Sequence, residues 1–361
     1  MTVKKQTKTV VTIVGARPQF IKVAPVSRAI RDTGRITEIL VHTGQHFDAN
    51  MSDVFFAELG IAKPDHNLEV GGGGHGAMTG FMLQRIEPLL QDIRPDAVLI
   101  YGDTNSTLAG ALTAAKLHIP VAHIEAGLRS FNRAMPEEIN RVVADHLSDF
   151  LFASTDIAVV NLRNEGVDSA KIHHVGDVMY DAALLFADRS KDRSILSDVA
   201  IEPGRYVLST LHRAENTDDP ARLAALTAAL DRVAAQLPVI LPLHPRTRGA
   251  MERHGLRFER VKTIDPVGYL DMVALESNAA VIATDSGGVQ KEAFFYAVPC
   301  VTLRDETEWT ELIDLGWNQL AAPTSPAIAE QILSAVGRKG TEALPYGDGT
   351  AARSIAEKLA D

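Results

Sequence analysis

The chain has 361 residues, 46% of them hydrophobic and 23% charged, with 26 glycines and 17 prolines; this excludes collagen-like, disordered and coiled-coil chains. The length exceeds what one hydrophobic core usually serves, so two domains of about 150–200 residues are expected. Lys and Arg number 36 against 46 Asp and Glu, a net charge of −10, and without a basic excess or stripe a nucleic-acid partner is excluded.

In chain order, β-branched runs predict strands at 9–14, 37–42, 96–101, 119–124, 149–153 and 172–175. A second series follows at 206–210, 238–243, 261–264, 280–284 and 299–303. Helical periodicity lies between them; in 104–117, Leu108, Leu112 and Ala115 recur at i, i+4 and i+7. Strands alternating with helices predict βαβ units and parallel sheets. The near-continuous apolar runs DAVLIY and AVIAT suit strands buried on both faces. The polar stretch 189–204 separates the two series and is expected to join the domains, 1–188 and 189–348. Two doubly wound domains in tandem would place a ligand in the cleft between them. Gly71–Gly74 is the one low-complexity stretch; it reads first as a flexible loop, and second as a loop that closes on a ligand.

Cys300, the single cysteine, can form neither an internal disulfide nor a zinc cluster. No apolar run approaches the roughly 18–20 residues that cross a bilayer, and the N-terminal apolar run is too short for a signal peptide, so a cytoplasmic protein is expected. There is no GxGxxG after the first strand and no GxxxxGK[ST], so neither a dinucleotide cofactor nor a Walker loop is signalled. No metal-binding spacing is present either: His123 and Glu125 stand at i, i+2 without the cysteines of a zinc deaminase.

In open α/β sheets ligands bind beyond the carboxyl ends of the strands, and those ends are crowded with polar groups. They are Gly15-Ala16-Arg17-Pro18-Gln19, Gly102-Asp103, Glu125 to Arg129, His212-Arg213, His244-Pro245-Arg246, Asp285-Ser286-Gly287-Gly288 and Arg304-Asp305. Ser286 to Gly288 reads as a strand-to-helix turn with Ser286 as N-cap. Bare glycine N–H groups there suit a phosphate, although a plain capped helix explains the pattern equally well. Glu292, two turns on, could accept from ribose hydroxyls, with a surface glutamate as the default. Asp103, Glu125 and Glu137 are candidates for proton transfer beside Arg17 and His212. Taken alone, Glu137 is a first-turn acid behind Pro136 that would pair with Arg141 at i+4.

The motifs GARPQFIK, TGQH, YGDTNST, HIEAGLRS, MPEEINR, LHRAEN, PLHPRT, TDSGGVQKEA and PYGDG, in this order, resemble the non-hydrolysing UDP-N-acetylglucosamine 2-epimerases from about residue 9 onward. The resemblance implies a glycosyltransferase-B-like fold of two Rossmann-like domains, the second binding UDP, with a C-terminal helix at 349–361 returning to the first. It implies no cofactor, a UDP-sugar substrate and a homodimer. By motif, Asp103, Glu125, Glu137 and His212 match the family's catalytic positions. Arg17, Lys22, His244, Ser286, Gly287, Gly288 and Glu292 match substrate-contacting ones. The family inverts carbon 2 of the sugar by eliminating UDP to a glycal and adding it back. Two departures stand out: Gln19 in a motif that commonly reads RPE, and Trp309 where common members carry arginine. Both look like the branch acting on UDP-2,3-diacetamido-2,3-dideoxyglucuronate. The expected reaction is UDP-N-acetylglucosamine to its 2-epimer, with the same chemistry on that branch's sugar nucleotide as the alternative. A retaining glycosyltransferase on the same fold is the rival activity.

Overall fold

The protein is described by a computed structural model covering residues 7–45, 56 and 58–361. The chain forms two compact units, one running to Ala182 and taking up Leu344–Asp361 again, the other Ala183–Ala343. The division falls inside the helix Val178–Ser190, ahead of the polar stretch 189–204.

The first unit carries β1 (Lys8–Val14), β2 (Ile36–His42), β3 (His66–Asn67), β4 (Ala97–Tyr101), β5 (Val121–Ala126), β6 (Phe150–Ala153) and β7 (Ile172–His174). They form one parallel sheet in the order β3-β2-β1-β4-β5-β6-β7. All five residues of β4 are buried, as its unbroken apolar run requires of a central strand covered on both faces. Helices begin where the chain supplies a fixed φ or a cap: Pro136 opens Pro136–Leu147, and the Thr104 hydroxyl accepts from the Thr107 N–H to open Asn105–Lys116. The last helix, Ala351–Ala360, packs on Arg17–Thr33, and the Asp181 carboxylate accepts from the N–H groups of Ala351 and Ala352 at 3.3 and 2.9 Å. The polyglycine stretch ends at Gly74, which precedes the helix His75–Ile93; Gly72 and Gly73 are exposed with positive φ.

The second unit repeats the plan with β8 (Val207–Thr210), β9 (Val239–Pro242), β10 (Lys262–Ile264), β11 (Val281–Thr284), β12 (Cys300–Thr302) and β13 (Asn318–Leu320). The parallel order is β10-β9-β8-β11-β12-β13. Its core joins Leu226, Leu230, Val239, Val281, Val301 and Ile332, among others. In both sheets the strand order reverses at the first strand, between β1 and β4 and between β8 and β11, which opens a crevice at the carboxyl edge. Two doubly wound parallel sheets are what the alternation predicted. The edge strands β3 and β13 were not anticipated, because His66-Asn67 and Asn318-Gln319-Leu320 contain no β-branched residue to mark a strand. Among the described residues no helix is long and apolar enough to cross a membrane.

Candidate active site

At the first crevice the carboxyl end of β1 leads into the helix Arg17–Thr33. Gly15 is required there: a Cβ would stand 2.1 Å from Thr43 Oγ1 and 2.2 Å from Ser106 Oγ. Gln19 is buried and ties the turn to β4. Its Oε1 accepts from the N–H groups of Gly15 and Ala16 at 2.8 and 3.0 Å, and its Nε2 donates to the Tyr101 carbonyl at 2.8 Å. Arg17 is exposed at the first helical position, and Lys22, one turn further, is buried against Glu125 in an ion pair. Burial works against the Lys22 ammonium, yet Glu125 above all, with Asp103 and Asp177, pushes its pKa above the ordinary value.

Tyr101 of β4 pairs with Ile124 of β5, so the residues that follow emerge side by side. Gly102, at φ 59°, turns the chain, and a Cβ on it would come within 3.1 Å of Glu125 Oε2. Asp103 follows, its Oδ2 accepting from Arg141 Nη2 at 2.5 Å, while Asn140 donates to its carbonyl at 2.8 Å. Glu125 has a φ of 71° where the β5–β6 register shifts. A non-glycine residue in the left-handed region costs about 1–3 kcal/mol and persists only where its surroundings over-determine it. Behind it, His123 and Asp145 are buried and bonded at 2.7 Å. Burial opposes the Asp145 charge, but His123 and then Arg129 hold its pKa below the usual carboxylate range.

Glu137 does not pair with Arg141 as its spacing predicted; it is exposed on the first turn of Pro136–Leu147. Arg141 turns instead to Asp103 and to Glu138 at 3.0 Å. Glu138, buried, accepts from the N–H groups of Ser130 and Phe131, both at 2.9 Å, and so ties down the preceding loop. The reason is geometric: Asp103 lies off the sheet edge on the side Arg141 faces, and a partner reached through the fold outcompetes an exposed i+4 pair worth a few tenths of a kcal/mol.

At the second crevice Thr210 of β8 pairs with Thr284 of β11, which brings His212 beside Asp285. Asp285 is fully buried and accepts from the N–H groups of His212 and Arg213, at 3.1 and 2.9 Å, and from Asn216 at 3.2 Å. The His212 ring is tilted against His244 with centroids 5.6 Å apart. Burial lowers the His212 pKa; Asp285 opposes this, while His244 and Arg213 add to it. His244 is exposed and caps the helix Pro245–Arg253 by accepting from the Arg246 N–H at 3.1 Å.

Ser286 occupies the N-cap of the helix Gly287–Phe295, but its hydroxyl makes no capping bond. Gly288 is exposed, and a Cβ on Gly287 would approach Arg213 Nη2 and Trp309 Nε1 at 3.6 Å. The Trp309 indole donates to the Gly287 carbonyl at 2.9 Å, with the Lys291 ammonium 4.5 Å from the centre of its ring. Glu292 is buried rather than a surface residue. Its carboxyl accepts from the Tyr269 hydroxyl at 3.3 Å, and burial pushes its pKa up to about 6, partly offset by that bond and by Lys291.

Within the first unit the fold thus gathers Lys22, Asp103 and Glu125 at one strand edge, with Arg17 and Glu137 exposed on helix starts. Within the second it gathers His212, His244 and the Ser286–Gly288 turn. Asn140 and Asp145, on the same helix as Arg141, carry no signal in the sequence, because only tertiary contact reveals that helix's inward face.

A family model described as UDP-N-acetylglucosamine 2-epimerase matches residues 28–360. The chain is 55% identical to the UDP-2,3-diacetamido-2,3-dideoxy-D-glucuronate 2-epimerase of Pseudomonas aeruginosa, over 97% of this chain and 99% of that one. It is similar to the crystal structure of the Methanocaldococcus jannaschii UDP-GlcNAc 2-epimerase in complex with UDP-GlcNAc and UDP, with a TM-score of 0.84 and 41% identity over 97% of this chain and 99% of that one. The UDP-GlcNAc 2-epimerase of Neisseria meningitidis bound to UDP-GlcNAc follows with a TM-score of 0.86 and 31% identity, again covering 97% and 99%.

Proposed function

Because the chain belongs to the UDP-N-acetylglucosamine 2-epimerase family and is an epimerase, we propose that it inverts carbon 2 of UDP-2,3-diacetamido-2,3-dideoxyglucuronate. The observation that carries the choice of sugar is the 55% identity, over 97% of the chain, with an epimerase of that substrate, against 44% with a UDP-N-acetylglucosamine 2-epimerase and 50% with a homolog of that enzyme. Gln19 and Trp309, where common members read glutamate and arginine, support the same branch. UDP-N-acetylglucosamine is the second reading.

Carbon 2 of such a sugar has no neighbouring carbonyl, so its proton is not acidic in the ground state. Departure of UDP from carbon 1 develops oxocarbenium character, and loss of the proton from carbon 2 then leaves a glycal and UDP. Return of a proton to the other face, with re-addition of UDP at carbon 1, gives the epimer. We assign the leaving diphosphate to Arg17, His212 and the Ser286–Gly288 turn, whose bare N–H groups and helix start favour an anion. Glu292 and His244 contact the nucleotide. Asp103 and Glu125 are the proton-transfer carboxylates: adjacent strand ends present them together, each beside a cation, Arg141 and Lys22. Glu137, carboxylate-bearing and exposed, is the third candidate. The expected assembly is a homodimer, checked by sedimentation.

The two sugar nucleotides, incubated separately in deuterium oxide and followed by NMR, test this. Faster epimer formation from the diacetamido-glucuronate, with deuterium entering carbon 2, is expected. Faster turnover of UDP-N-acetylglucosamine overturns the choice of sugar. Turnover that requires an acceptor and leaves carbon 2 unlabelled points to a glycosyltransferase.

A further inference from the structure

We propose that His123 and Asp145 are positioning residues, a buried clamp that fixes Asp103 and Glu125 relative to one another. The inference rests on Asp103 and Glu125 being the proton-transfer groups, and it extends to two residues that reading leaves out.

Gly102, the residue before Asp103, is held to β5 through both of its backbone polar groups. Its N–H donates to the Ile124 carbonyl at 3.0 Å, and its carbonyl accepts from His123 Nε2 at 2.7 Å. The other ring nitrogen of His123 donates to Asp145 Oδ1 at 2.7 Å. Asp145 Oδ2 accepts from the Gly127 N–H at 3.0 Å and from Arg129 Nη1 at 2.7 Å. One carboxylate therefore grips β5 on both sides of Glu125, through His123 before it and Gly127 after it.

Glu125 sits between those anchors in the left-handed conformation, at the irregular step of the ladder. Without them the strand would relax to regular β geometry, and the alternation of side chains would carry the Glu125 carboxyl off the edge it shares with Asp103. His123 and Asp145 are 0% and 1% exposed, so neither meets the substrate, and both act through the backbone. A core role alone does not account for them. An apolar pair of the same volume fills a core at least as well as a buried ion pair, but it leaves the Gly102 carbonyl and the Gly127 N–H unheld.

The test uses the full chain with His123→Phe, which fills the space and cannot donate, and His123→Gln, which can still donate to Gly102. Each is made alone and on an Asp103→Asn background. We measure kcat and KM on whichever sugar nucleotide turns over, and UDP affinity by calorimetry. His123→Phe is expected to lower kcat about a hundredfold, the effect of misplacing a reacting group by about 1 Å, with KM and UDP affinity changed less than about threefold. His123→Gln recovers about tenfold of that loss. On the Asp103→Asn background His123→Phe is expected to cost about tenfold, less than in the native chain, because of the two groups the clamp relates only Glu125 remains to be held.

An unchanged kcat in His123→Phe overturns the inference, as does a loss repeated in full on the Asp103→Asn background. Should the Phe variant fail to fold, His123→Gln carries the same comparison with a loss of about tenfold. Wild-type turnover by Asp103→Asn itself strikes the underlying assignment of Asp103, which separates that failure from failure of the clamp.

Discussion

Asp103 and Glu125 each face a cation across the fold, and their removal is expected to act on the chemical step. Asp103→Asn or Glu125→Gln should leave UDP binding largely intact while lowering kcat by about a hundredfold or more; steady-state assays beside calorimetry check this, and wild-type turnover removes that residue from the mechanism. Arg17, exposed at a helix start, is assigned to the leaving diphosphate. Arg17→Ala should weaken UDP binding by about ten- to a hundredfold as a charge-assisted contact worth about 1.5–3 kcal/mol is lost, and unchanged affinity counts against its placement. At this scale the strand-end residues were legible because polar groups just past apolar runs have one place to go. Their partners were not: Arg141 could be assigned to Glu137 from spacing alone, and only the folded sheet edge shows that Asp103 takes it.

The turn after β1 shows what the elements demand. Gly15 lies against two hydroxyls bonded to each other, Thr43 Oγ1 and Ser106 Oγ at 2.8 Å, contributed by the ends of two other segments. Gly15→Ala would drive them apart. The expected loss is about 1–3 kcal/mol, the usual range for overpacking a closed site, read as a lower denaturant midpoint at unchanged m. Gln19 belongs to the same junction, where its amide satisfies β1 turn donors and the Tyr101 carbonyl at once. That explains how glutamine serves at a position where a carboxylate is common: the amide supplies the donor that Tyr101 receives. The period of the helices and the apolar runs of the central strands were legible in the chain. β3, β13 and the Glu125 irregularity were not, since each depends on pairing with a neighbour rather than on local pattern.

For the molecule as a whole, the return of the chain end to the first unit is held partly by Asp181, whose carboxyl meets the start of Ala351–Ala360. Burial pushes its pKa up to about 6, offset in part by the Ala352 and Ala351 N–H groups. A carboxyl whose pKa is raised by folding stabilises the fold most when protonated. Its contribution is full below the unfolded value of about 4 and is lost as pH rises from about 4 to about 6, roughly 3 kcal/mol in all. Denaturant unfolding of the full chain across that window should show the decline, and Asp181→Asn should flatten it. An unaltered pH slope in the variant would assign the decline to other groups.

The chain by itself determined the two doubly wound sheets and the family, because apolar period, glycine turns and strand-end motifs are local properties written in consecutive residues. Which carboxylates stand together, which cation each one meets, and why a glutamate endures a left-handed backbone were decided by tertiary structure alone. Those facts arise where strands distant in sequence are brought into register and a helix closes over their ends, and no local pattern encodes a distance across that edge.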